Sequence, residues 1–125
     1  MNTNTCKLAL EYLQIEYYDR QLVSGDIFFC KTSDGMTFNI MIYPSGLIRV
    51  WRFVCSNIPE TLVGECRKYI EHEHNDIVVG LEVTSECDLS FFTEQVVDIL
   101  DSKAEIYVLK QLKQFIALSR SVWSK

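Results

Sequence analysis

Chemistry needs ligand, nucleophile or acid–base side chains brought together, and the sequence offers few of them. Glu71-His72-Glu73-His74 is the one cluster of metal-ligand types, and it holds both histidines of the chain. On a helix, positions i and i+2 point about 200° apart, so His72 and His74 would diverge. In an extended segment they would share a face, but a third ligand would have to come from Asp76 or Glu86. A solvated polar helix end is the plainer reading, and His72 and His74 are kept as the metal candidates. Nucleophilic catalysis needs a nucleophile oriented by a base that a third group holds. Cys66 precedes His72 by six positions, a poor helical spacing for contact. The carboxylate pairs Glu71/Glu73 and Glu86/Asp88 lie in polar, turn-like stretches and read as solubilising. A glycosidase would need such a pair inside a cleft. No glycine-rich phosphate loop occurs, and the five glycines stand isolated. The expectation is a chain without catalytic residues and without a cofactor, hence not an enzyme.

The five cysteines, Cys6, Cys30, Cys55, Cys66 and Cys87, are odd in number and never closer than eleven positions. That spacing excludes zinc-ribbon and thioredoxin motifs. Each stands in an apolar or strand-like context and reads as a small buried hydrophobe in a reducing cytoplasm. No run of about 18 apolar residues is present, so no membrane span is expected. The polar Met1–Thr5 lacks the basic and apolar regions of a secretory signal.

Charge is uneven along the chain. Met1–Ser56 carries five acids and five bases, Asn57–Glu105 twelve acids and three bases, and Ile106–Lys125 four bases and no acid. The acidic middle repels phosphate backbones, so a nucleic-acid partner is not expected. The terminal bases suit the C-terminal end of a helix.

The elements that would position any site follow from periodicity. With 125 residues, 48% of them hydrophobic, the chain reads as one globular domain over residues 1–125. Cys6, Leu10, Leu13 and Tyr17 fall at helical spacing, with Leu8, Tyr12 and Ile15 as a second apolar row. The period then changes to two. Asp26–Thr32, Met36–Tyr43 and Leu47–Cys55 read as strands joined by Ser33-Asp34-Gly35 and Tyr43-Pro44-Ser45-Gly46, a three-stranded antiparallel meander. Pro59 opens a second helix reaching Glu73. Ile77–Val83 is a fourth strand. A helix carrying Phe92, Val96, Ile99 and Leu100 follows, then a final helix from the capping box Ser102–Glu105. One continuous kinked helix is the alternative. Its apolar row is Ile106, Leu109, Leu112, Phe115 or Ile116, and Ser119. The predicted class is α+β: an antiparallel sheet, the meander plus a fourth strand, packed with helices in the order α-β-β-β-α-β-α-α.

Alternation assigns Phe38, Ile40, Ile42, Ile48 and Val50 to the core. The opposite face then carries Met41, Tyr43, Arg49, Trp51, Phe53 and Cys55. Aromatic residues, Met and Arg together have the composition of an interface centre. Two readings are open: the chain's own helices cover this face, or Met41, Tyr43, Arg49, Trp51 and Phe53 bind a partner. Nothing basic interleaves to make it a nucleotide-stacking surface.

The meander Asp26–Cys55, the proline-started helix Pro59–Glu73 and the long C-terminal helix together resemble the type III secretion chaperones and the related YbjN-like family of bacterial regulators. The resemblance is architectural and covers most of the chain. That family has two strands after the second helix. Here Ile77–Val83 is one, and Cys87–Phe92 is where the other would lie. The resemblance implies a non-enzymatic homodimer that holds client segments on apolar surface, for which Met41, Tyr43, Trp51 and Phe53 are the matching residues. The expected function is protein–protein contact, as a chaperone-like or regulatory adaptor acting on a protein partner or on itself. The alternative is a small-molecule-binding domain or small enzyme with a pocket between sheet and helices.

Overall fold

Antiparallel strands put successive side chains on opposite faces, so period-two segments that share a register build two faces at once. The computed structural model describes residues 4–57, 77–83, 88–98 and 100–123. Helix α1 (Asn4–Tyr12) leads into β1 (Glu16–Leu22), β2 (Gly25–Lys31), β3 (Thr37–Ile42) and β4 (Leu47–Cys55). After them come β5 (Val78–Val83), β6 (Leu89–Val96) and the long helix α2 (Ala104–Trp123). The strands form one sheet in the order β1-β2-β3-β4-β6-β5, with every neighbouring pair antiparallel. The class is therefore α+β, with six strands and two helices among the described residues.

The meander lies where the turn chemistry puts it. Gly35 and Gly46 both adopt φ +93°, the left-handed region that costs glycine least. The Gly46 N–H donates to the Tyr43 carbonyl, and a Cβ on Gly46 would meet the Val97 carbonyl oxygen at 2.7 Å. In the first turn the Thr32 hydroxyl hydrogen-bonds the Asp34 carboxylate. Arg120 of α2 reaches the same carboxylate at 3.0 Å. These contacts hold the Asp34 carboxyl below its ordinary value, the Thr32 hydrogen bond contributing most.

The expected order α-β-β-β-α-β-α-α is corrected at two places. The first helix stops at Tyr12 instead of running to Tyr17. Gln14 takes φ 58°, its N–H donates to the Glu11 carbonyl, and the Ile15 N–H donates to the Leu10 carbonyl. That is a Schellman stop, with Ile15 and Leu10 as its buried apolar pair. The chain turns into β1, and Tyr17 packs across the sheet against Phe28, ring centroids 5.8 Å apart. The second correction is the segment after Asp88. It is not helical: Leu89–Val96 is a strand inserted between β4 and β5, and with it the single kinked helix is excluded. Leu89, Phe91 and Thr93 are buried on one side while Ser90, Phe92 and Glu94 line the other.

A smaller correction concerns Cys55. Phe53 pairs with Ser90 and Cys55 with Leu89, so Val54 is an extra residue in the ladder. This bulge carries Cys55 to the core side, where it packs against the buried cluster. The predicted helix Pro59–Glu73, with Cys66, His72 and His74, lies outside the described residues, as do Glu86 and Cys87.

The core lies between one sheet face and the two helices. Phe38, Ile40, Ile42, Ile48 and Val50 are all buried there, with Phe28, Phe91, Cys6, Ala9 and Leu10. Phe115 of α2 sits between Phe38 and Phe91, at 5.4 and 5.1 Å between ring centroids. Each such ring contributes about 1.5–3 kcal/mol through removal from water. The predicted row of α2 holds at Leu112, Phe115 and Ser119, with Leu109 and Ile116 packed beside the core, and fails at Ile106. Ala104, Val108, Gln111, Leu112, Phe115, Leu118 and Ser119 face inward, while Ile106 is 61% exposed. The helix starts at Ala104 with Asp101 as its cap: its carboxylate accepts the Lys103 N–H and its carbonyl the Ala104 N–H.

Gln111 is fully buried between α2 and the sheet. Gln111 Nε2 donates to the Ile48 carbonyl (3.1 Å) and to Thr93, carbonyl and hydroxyl (3.3 and 3.2 Å). Its Oε1 accepts from Gln95 Nε2 at 2.6 Å. A buried polar side chain is tolerable when satisfied in this way. Among the described residues no helix is long and apolar enough to cross a membrane.

Gln111→Leu keeps the volume but takes one of two acceptors from Gln95 Nε2, which retains the Tyr107 carbonyl, and takes the Gln111 donor from the buried Thr93 hydroxyl. Urea unfolding should show a loss of about 2 kcal/mol, with far-UV circular dichroism of the native state unchanged. Asp34→Asn tests the turn. A carboxyl with a lowered folded value stabilises above its unfolded value, near 3.8, and that stabilisation is lost as pH falls through the folded value. The wild type should therefore exceed Asp34→Asn in unfolding midpoint at neutral pH, and the difference should vanish in acid.

Candidate partner-binding face

The face opposite the helices carries a line of directly opposed residues across all six strands. Tyr18 of β1 pairs with Phe29 of β2, Phe29 with Asn39 of β3, and Asn39 with Trp51 of β4. Trp51 pairs with Phe92 of β6, and Phe92 with Gly80 of β5. Four aromatic rings thus lie in one cross-strand row. Tyr18 and Phe29 stack at 4.9 Å and 25°. At the other end Phe92 lies flat over Gly80, where a Cβ would stand 2.8 Å from the ring. The glycine is the socket for that ring.

The next row is Arg20, Ile27, Met41, Arg49, Glu94 and Val78. Arg49 anchors it. Its two terminal nitrogens reach Glu82 at 3.1 Å and Glu94 at 3.2 Å, and its guanidinium lies 4.3 Å over the Phe92 ring. One planar fork thereby ties β4, β5 and β6 together from above, which a lysine ammonium could not do.

The five residues predicted from the sequence are placed as follows. Met41 on β3 directly opposes Arg49 on β4 and is buried, at 8% exposure. Trp51 is half-buried one pair along, and Phe53, past it, is 56% exposed. Tyr43 lies just beyond β3 at the mouth of the β3–β4 turn, its N–H bonded to the Leu47 carbonyl. Met41, Arg49 and Trp51 form one contiguous patch, with Tyr43 and Phe53 at opposite ends. Tyr18, Phe29, Phe92, Glu82 and Glu94 are not among the residues predicted from the sequence; alternation puts Asn39 on this face but not in the predicted set. Periodicity carries the first helix as far as Tyr17 and puts Phe92 on a helix, so β1 and β6 are absent from the predicted face. The signal was present in the aromatic and β-branched run Phe91-Phe92-Thr93, and in Tyr17-Tyr18 ahead of the turn at Gly25.

Beside the aromatic row, a groove of about 700 Å³ opens over β1, β2 and β3, lined by Tyr18, Phe29, Lys31, Thr37 and Asn39 among others. A second cavity, of about 350 Å³, lies between the α1–β1 connection, the β2–β3 turn and α2. Leu13, Ile15, Thr32, Lys113 and Arg120 are among its walls. Cys6 and Cys30 are free and buried, and burial pushes the Cys30 thiol up to about 12 and Cys6 higher still. Among the described residues no three His, Cys, Asp or Glu side chains stand together as a metal site. No known family model, curated protein or solved structure matches the chain.

Arg49→Ala removes two ion pairs and the contact over Phe92, all partly exposed. The expected loss is about 1–2 kcal/mol in urea unfolding, with the ion-pair part shrinking in high salt.

Proposed function

We propose that this chain is a non-enzymatic protein-interaction domain, chaperone-like or a regulatory adaptor, that holds an apolar segment of a protein partner on its outer sheet face. The observation that carries this reading is the register: Tyr18, Phe29, Trp51 and Phe92 stand in one line around Asn39. With Phe92 covered by Arg49, the rings of Tyr18, Phe29 and Trp51 around one amide suit an apolar segment, whose side chains lie on the rings while its backbone meets the amide. The row runs into an open groove, so the segment has a path off the sheet.

Two strands, β5 and β6, stand after residue 77, the number that the secretion-chaperone and YbjN-like pattern has there, whereas β1 is a fourth strand before residue 57 where that pattern has three. The free thiols Cys6, Cys30 and Cys55 suit a reducing cytoplasmic compartment. A second reading, small-molecule binding, is favoured by the cavity walled by the α1–β1 connection, the β2–β3 turn and α2.

The test is suppression of aggregation of a chemically reduced model protein, followed by light scattering. The wild type should suppress it in proportion to its concentration. Trp51→Ala combined with Tyr43→Ala should lose most of that effect while keeping a native circular dichroism spectrum. Equal suppression by both proteins would reject the outer face as the binding surface. Loss of folding in the double variant would show that this face belongs to the core.

A further inference from the structure

Strand β1 is an edge of the sheet, and its backbone polarity can be assigned. The Thr32 N–H donates to the Met36 carbonyl at the β2–β3 turn. Bonded pairs alternate along an antiparallel ladder, so Cys30 and Phe28 also face β3, and Phe29 and Ile27 face β1. Their partners Tyr18 and Arg20 therefore direct their backbone inward. The N–H and C=O groups of Tyr17, Asp19 and Gln21 are left aimed at the open edge. All residues of β1 but Tyr17 are exposed.

We propose that this edge docks a second copy of the chain, β1 against β1, about a two-fold axis through Tyr18. In this register Tyr17 and Asp19 of each copy exchange backbone hydrogen bonds with Asp19 and Tyr17 of the other. Tyr18 meets Tyr18, and Glu16 meets Arg20 twice. The last two are non-bonded pairs, in which side chains approach most closely. Neither Glu16 nor Arg20 has an ion-pair partner within the chain among the described residues. Charges on an edge normally prevent pairing; here they select one register. A two-residue slip one way opposes Asp19 to Asp19, and a four-residue slip the same way opposes Arg20 to Arg20. Each copy would extend the other's sheet to twelve strands, and the Tyr18–Phe29 stacks of the two would adjoin. The inference does not rest on partner binding by the outer face.

An interface of one short strand is weak and concentration-dependent, so the measurement is sedimentation across a dilution series of the full chain. The wild type should pass from monomer to dimer. Glu16→Arg places a cation opposite Arg20, and Arg20→Glu places an acid opposite Glu16, so each variant alone should stay monomeric. An equimolar mixture of the two should dimerise again, because every contact across the axis is then opposite in sign. Asp19→Pro removes an edge-facing N–H, together with the Lys7–Asp19 ion pair, but no donor of the β1–β2 ladder, and should also abolish the dimer with that ladder intact; Asp19→Ala, which loses the ion pair but keeps the N–H, should still dimerise. A wild type that is monomeric throughout, a dimer that survives both charge variants, or a mixture that fails to recover would each overturn the proposal.

Discussion

A slip of one residue in any central strand would turn Phe28, Ile40, Val50 and Thr93 toward solvent and carry Phe29, Asn39, Trp51 and Phe92 into the core. The two rows are the same ladder read on its two faces. What fixes the inner row therefore fixes the outer one, with no further contact needed. Hydrophobic burial does most of this, since Phe115 fits only between Phe38 and Phe91. Burial alone is non-directional, however. Gln111 adds direction: its amide spans from the Ile48 carbonyl on β4 to Thr93 on β6, and a shift of either strand would move the acceptor away.

The outer face is organised differently at its two ends. Toward β5 and β6 it is closed on itself. Arg49 pairs with both Glu82 and Glu94, offsetting one of their two charges, and covers Phe92, which in turn fills the space that Gly80 leaves. Toward β1 it is open. Tyr18 stands 62% exposed beside the groove, and Glu16 and Arg20 flank it without an internal partner among the described residues. The acidic surplus of the middle of the chain is thus partly spent inside the fold, and the unspent polarity of the face lies at one edge.

The meander was legible because its punctuation is chemical. Asp34-Gly35 and Ser45-Gly46 supply the positive φ that the turns need, and between them alternation has one interpretation. The strands β1 and β6 were not legible, for different reasons. The stop of α1 uses Gln14 in the left-handed region, where a glycine would have announced it, and Tyr17 happens to continue the helical spacing. Strand β6 carries apolar residues on both faces, Phe91 in the core and Phe92 under Arg49 on the other side, and Phe92, Val96 and Leu100 then mimic a helical row. Val54 shows a third limit, because a bulge reverses the faces after it and leaves no mark in composition. Phe38, Ile40, Ile42, Ile48 and Val50 all lie within the legible meander and face the core, whereas the aromatic row needs β1 and β6 to complete it.

Edge pairing and partner binding, if both operate, meet at one residue. Tyr18 ends the aromatic row and would sit on the two-fold axis of a β1–β1 dimer. The row would then not end at the edge but continue into the second copy, rising from four rings to eight on one curved surface. Two grooves would adjoin there with their Lys31 and Thr37 walls related by the axis. A partner segment crossing the axis would contact both copies and would bind the dimer better than the monomer. By linkage it would also strengthen the pairing of the edges. Weak self-association is then no obstacle to function, because a short strand pair that forms only in part on its own would be completed by what it holds.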